Sequence, residues 1–232
     1  IVALYGVLHG PSHIFLCMEL AGTSHLFRLL KTSGEHRLPL MLAEKFHRQI
    51  SSAVAYCHDR HIAHRDLKPE NISVIESADT CDIKVLDFGE AVSTDQPRGD
   101  VVGTFPFMAP EVMVACKKLR YNPAAADIWS CGVILLEMAC GLHQLDHMLG
   151  WHRSTPLSAD RKDELEVYFS DPQNFEREVH QAQPRADKAL LDLLRGMLTC
   201  DPDERWTADD MCGCDWLRSV DEAAFAGDMS CL

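Results

Sequence analysis

Residues 64–71, His-Arg-Asp-Leu-Lys-Pro-Glu-Asn, place five charged or titratable side chains and one proline in eight positions. Asp66 carries a carboxylate that can accept a proton, and Lys68, two residues on, an ammonium that can meet an anion. Asn71 adds an amide oxygen, and a second carboxylate, Asp87, opens the Asp-Phe-Gly triplet at 87–89. Carboxylate and amide oxygens are the hard donors that suit Mg²⁺. Pro69 stiffens the chain between these groups. Each residue also has a plainer reading: Asp66 caps a helix, Asn71 forms a turn, and the stretch is a solvated loop.

The elements that would position these groups can be read on either side. "IVALYGVLHG" and "HIFLCMEL" are short runs rich in Val, Ile, Leu and Phe, separated by Gly10-Pro11-Ser12, and predict two strands with a turn between them. From "LPLMLAEKFHRQISSAVAYCHDR" the period changes to that of a helix, with Leu42, Phe46, Ile50, Val54 and Cys57 or His58 on one face. Strand-like runs return at "ISVI" and "DIKVLDF". "AAADIWSCGVILLEMACG" is apolar nearly all round, which predicts a buried central helix. "RADKALLDLLRGMLTC" and "TADDMCGCDWL" follow as helices, the second opened by Thr207 as N-cap. "GWHRSTPLSAD" reads as a loop within one domain, and no repeat or low-complexity tract occurs. The expectation is two strands followed by a compact, mainly helical body.

Composition narrows the classes. The 232 residues are 47% hydrophobic and 25% charged, enough for one sizeable core or two lobes sharing an interface. The formal net charge of −13 argues against non-specific nucleic-acid binding, which needs Lys and Arg to neutralise phosphates. It suits a basic partner or substrate, and it also aids solubility. The ten cysteines are scattered without a CxxC pair, and Cys131 and Cys140 bound an apolar run. That pattern favours reduced thiols and an intracellular setting, cytoplasmic or nuclear. The apolar runs look far short of a membrane span, and no signal peptide is seen. Ile1 already lies in a strand-like run, so a natural N-terminus further upstream is expected.

"HRDLKPEN" at 64, "DFG" at 87 and "APE" at 109 follow in order, and the set resembles the protein kinase family. "AADIWSCGVILLEM" and "DPDERWTADDM" extend the resemblance over roughly Ile1 to Leu217. It implies an α+β, protein-kinase-like fold: two strands of a truncated N-terminal lobe and the start of the hinge at 1–20, a mainly α-helical C-terminal lobe at 21–217, and a tail at 218–232. Asp66 would accept the proton of the acceptor hydroxyl, Lys68 would meet the γ-phosphate of ATP, and Asn71 and Asp87 would hold Mg²⁺. The lysine of "DLKxxN" and Thr104 in "GTFPFMAPE" place the resemblance with serine/threonine kinases. By the same resemblance Glu111 pairs with Arg205, Asp127 holds the backbone of the "HRD" turn, and Arg65 grips a phosphate; Asp100 reads either as a fixed carboxylate for Arg65 or as a solvated loop aspartate.

Met18, Glu19, Leu20 and Ala21 resemble the hinge. Met18 would be the gatekeeper, and the backbone of Glu19 and Ala21 would meet adenine. Ser73 stands where kinases place an apolar floor under the ring. Glu70 and Glu137 match acidic positions that receive arginines, a lean towards basic sequences around the Ser or Thr of protein substrates, although His25 replaces a further acid. "RGD" at 98–100 falls inside the activation segment and is read as coincidence. A glycine-rich loop, a strand lysine and a helix glutamate are expected of a kinase, and none occurs in this sequence. Two function classes are therefore expected: a partial catalytic domain of a serine/threonine kinase, or a catalytically inactive kinase-like binding or scaffold module. Either way, the missing N-terminal lobe or a covering partner is expected over the first two strands. No nucleic-acid or membrane partner is expected.

Overall fold

The computed structural model describes residues 1–77, 80–151, 158 and 160–218. β1 (Leu4–His9) and β2 (Ile14–Met18) pair antiparallel, with Val7 opposite Leu16 and His9 opposite Ile14. The turn between them is closed by Gly10 N donating to His13 O at 2.8 Å. Both strands are shorter than the apolar runs that predict them, because a two-stranded ribbon has no neighbour to extend along. Tyr5, Leu8, Ile14, Phe15 and Leu16 lie exposed on it. The ribbon joins the body through Val2 N donating to Val85 O at 3.0 Å and through the ion pair of Glu19 with Lys84.

A second sheet lies behind the "HRDLKPEN" loop. β3 (Ser24–His25) runs antiparallel to β5 (Ile72–Glu76), which runs antiparallel to β6 (Cys81–Val85). β4 (Ile62–Ala63) pairs with β7 (Val92–Ser93) and brackets the start of that loop. The other described helices are α1 (Leu26–Thr32), α2 (Leu40–His58), α3 (Pro110–Met113), α4 (Pro123–Cys140), α5 (Gln144–Met148), α6 (Asp160–Phe169), α7 (Pro172–Ala182), α8 (Lys188–Met197) and α9 (Ala208–Cys212). The expected loop at 150–160 lies mostly outside the described residues.

α4 is the axis of the core. The Asn122 side chain accepts Ala124 N at 3.0 Å, Pro123 takes the first helical position, and Gly141 at φ 127 ends the helix. Every residue of α4 except Ala124 is buried. By length and apolarity α4 reaches the threshold of a membrane span, which corrects the expectation from the apolar runs, yet 94% of it is covered by the fold. α2 packs on α4, α9 and β6. Its buried face is wider than the expected one: Leu42 packs half-buried against the core, and Ala43, Glu44, His47 and Ser51 join Phe46, Ile50, Val54 and Cys57 in full burial. At the far end, Thr207 caps α9 with a full capping box through Asp210.

Candidate active site

The "HRDLKPEN" loop runs from β4 to β5, so both its ends are fixed by sheets. Asp127, at the start of α4 and 1% exposed, accepts His64 N and Arg65 N at 2.7 Å each and His58 Nε2 at 3.0 Å. A buried carboxylate is tolerable when its oxygens are taken up in this way. The anchoring holds Arg65 at φ 68, a left-handed conformation that persists only where its surroundings enforce it. His64 Nε2 donates to Leu86 O at 2.8 Å and its Nδ1 accepts Asp66 N at 3.3 Å, which fixes one neutral tautomer.

Four side chains then meet. Lys68 Nζ donates to Asp66 Oδ2 at 2.6 Å and to Thr104 Oγ1 at 2.8 Å, and Thr104 Oγ1 donates to Asp66 Oδ1 at 2.7 Å. Asn71 Nδ2 donates to Asp66 O at 2.8 Å and to Asp66 Oδ2 at 3.2 Å. The amide nitrogen is thereby spent on Asp66, which turns Asn71 Oδ1 away as an acceptor. Asp87 stands on the adjacent segment, because Leu86 N donates to Asn71 O at 2.9 Å. Asp87 is exposed, has φ 60, and accepts Gly89 N on Oδ1 at 3.2 Å; Phe88 packs on the His64 ring at 4.8 Å between centroids. Among the described residues no cluster of three or more His, Cys, Asp or Glu could hold a metal. The donor set of Asn71 Oδ1 and the Asp87 carboxylate instead fits a cation such as Mg²⁺, which keeps waters and takes substrate phosphates to complete its shell.

Two further contacts brace this group. Arg65 Nη1 donates to Asp100 Oδ2 at 2.7 Å and to Tyr121 Oη at 3.4 Å, and Arg65 Nε donates to Glu90 O at 2.8 Å. The bond from Arg65 holds the Asp100 carboxyl below its ordinary pKa. Arg205, with its side chain fully buried, forks onto Glu111 at 2.7 and 2.9 Å and ties the "APE" turn to the segment before α9.

The hinge-like residues sit apart from this cluster. Met18 ends β2, half exposed, and Leu20 is exposed. Glu19 N donates to Ala3 O at 2.9 Å while its carboxylate accepts Ala3 N and pairs with Lys84. The Ser73 hydroxyl is buried and donates to the carbonyl of Ala21, with Ser24 O 3.2 Å away. It faces the hinge backbone and is satisfied there. Gly22, at φ 85, lets the hinge cross β5: a Cβ there would lie 2.3 Å from Val74 O. Glu70 is exposed, but Glu137 is 1% exposed and accepts His143 N at 3.0 Å.

The protein kinase domain profile matches residues 1–217. The chain belongs to the protein kinase family. The kinase domain is similar to the CBL-interacting serine/threonine-protein kinase 19 of Arabidopsis thaliana, 33% identical over 94% of this chain and 41% of the relative. It is 42% identical to the CBL-interacting serine/threonine-protein kinase 14 of the same plant, over 61% of this chain and 31% of that protein. Outside plants, the SNF-related serine/threonine-protein kinase of Rattus norvegicus is 31% identical over 95% of this chain and 27% of its own length. The chain thus spans well under half the length of these relatives.

Within the kinase domain, the structure joins Asp66, Lys68 and Asn71 directly and sets Asp87 beside them. Three contributors went unread as neighbours of that group. Thr104 is marked only by its place after Gly103, His58 by its place at the end of a helix, and Tyr121 by nothing local at all.

Proposed function

We propose that this chain supplies the substrate-side half of a serine/threonine protein kinase site that transfers the γ-phosphate of ATP to a protein hydroxyl. The closed contact of Asp66, Lys68 and Thr104, with Asn71 behind it, is the observation that carries this reading. A carboxylate has roughly four lone-pair sites, and the Asp66 side chain takes three donors, which leaves room for one acceptor hydroxyl. Asp66 would hold and deprotonate that hydroxyl, and Lys68, fixed by Asp66 and Thr104, would sit against the phosphate. Asn71 Oδ1 and Asp87 would hold Mg²⁺, which when bound neutralises charge on the phosphates. The hinge at Met18, Glu19 and Ala21, with Ser73 beneath it, would take the adenine. The five buried cysteines among the described residues, with Cys140 pushed up to about 12 by burial, behave as core residues and suit an intracellular setting.

The test uses the longest natural product that contains these residues. Asp66→Asn should lower phosphate transfer to a protein substrate by about 10²–10⁴-fold with little change in folding. Turnover within a factor of a few of the parent would remove Asp66 as the base. The second reading, a kinase-like module without turnover, is favoured by one observation: Ser73 ties up the Ala21 carbonyl in the hinge. It predicts no binding of Mg·ATP in titration calorimetry, whereas the catalytic reading predicts binding that requires Mg²⁺ and weakens in Asp87→Asn.

A further inference from the structure

The chain is acidic overall, yet one exposed turn is strongly basic. Cys116 N donates to Leu119 O at 2.9 Å and Leu119 N donates to Cys116 O at 3.1 Å, which closes residues 116–119 into a tight turn. Arg98 and Tyr121 pin its base by reciprocal backbone bonds of 2.9 and 2.7 Å. Gly99 lies flat against it, since a Cβ there would be 2.5 Å from Cys116 O. Lys117, Lys118 and Arg120 are exposed on this turn and make no ion pair or hydrogen bond with another described residue. Elsewhere Lys45, Lys84, Lys162 and Lys188 each pair with a carboxylate. Leu119, 53% exposed, stands among the three cations.

We propose that the Cys116–Tyr121 turn is a docking surface for an acidic polypeptide segment that carries an apolar residue among its carboxylates. Three unpaired cations held at fixed spacing attract carboxylates, and the exposed Leu119 offers apolar contact that a phosphate rail cannot use. The net charge selects against longer polyanions. Attraction is confined to about 10 Å around the turn at ordinary salt, and beyond that a duplex or an anionic bilayer meets the acid excess of the remaining surface. The site is also placed to report on the candidate active site. Tyr121 is buried and accepts from Arg65, the neighbour of Asp66, and Arg98 Nε lies 3.4 Å from Asp100 Oδ1. A segment docked on this turn would lie beside the Arg98–Asp100 segment.

The inference does not require turnover, so binding is measured without nucleotide. Fluorescence anisotropy of a labelled short peptide with glutamates around one leucine, titrated with this chain, should show binding that weakens as salt rises. The Lys117→Glu/Lys118→Glu variant should weaken it about tenfold or more, and a lysine analogue of the peptide should not bind. Circular dichroism checks folding; if the charge reversal unfolds the chain, Lys117→Gln/Lys118→Gln makes the same comparison with a smaller loss. Absence of binding, or equal affinity in the variants, overturns the proposal. So does equal binding of phosphatidylserine vesicles or a short DNA duplex that the same variant abolishes, which would assign the turn to those surfaces instead.

Discussion

Asp100→Asn tests whether a fixed carboxylate orders the segment beside the "HRDLKPEN" loop. The substitution is nearly isosteric and removes the partner of Arg65 at 2.7 Å. The Arg65 side chain is 5% exposed and would keep only Glu90 O, Tyr121 Oη and a Glu90 carboxylate 3.8 Å away. Removing one partner of a buried pair costs about 3–5 kcal/mol, and an exposed pair is worth about 0–1. The Asp100 side chain is 44% exposed, so water screens the pair from one side and places the loss near 1 kcal/mol. For a domain of this size that lowers Tm by about 2–4 °C.

The same substitution has a pH signature. Asp100 has a folded pKa held below its unfolded value by Arg65, so its stabilisation is present above the unfolded pKa of about 4. It is lost as pH falls through the folded value. Paired melts should therefore separate parent and variant fully at neutral pH and converge in acid. Trypsin, which cuts after arginine, should reach Arg98 faster in the variant because the 98–100 segment opens more often. Superimposable melts at neutral pH, or a separation that persists unchanged in acid, would refute a role for the pair.

Burial of His47, with no hydrogen-bond partner on either ring nitrogen among the described residues, lowers its pKa to about 3. The unfolded chain then binds the extra proton between pH 6.5 and 3, so stability should fall on acidification through that window. Urea melts should show His47→Leu losing about 2 kcal/mol less than the parent between pH 7 and 5, and equal losses would refute the assignment. Arg205→Leu leaves Glu111 without its fork and should destabilise by about 3–5 kcal/mol in the same assay. A loss under 1 kcal/mol would show that the pair is not structural.

Local rules carried much of the fold into view. Thr207, three residues before Asp210, fulfils the capping box by residue type alone, and the apolar run of α4 announces a helix covered on every side. The face of α2 was harder. Periodicity scores apolar residues, so it passes over His47 and Glu44, although both are buried. Leu42 stays in that face, half-buried against the core, and Ala43 beside it is fully buried. The candidate site divides in the same way. Asp66, Lys68 and Asn71 are neighbours in sequence and in space, so their spacing already describes their contact. Tyr121 meets Arg65 across 56 residues, and no local pattern could have paired them.

Charge shows the limit most clearly. By resemblance Glu70 and Glu137 imply basic substrates; Glu70 is exposed, whereas α4 buries Glu137, which accepts His143 N. Lys117, Lys118 and Arg120 are three cations in a chain of net −13, and a sum over the chain hides them. The fold presents them on one exposed turn, bonded at its base to Arg98, two residues before Asp100. An approaching partner responds to charge within about one Debye length of its contact, so the sign it meets there is positive, opposite to the sign of the whole.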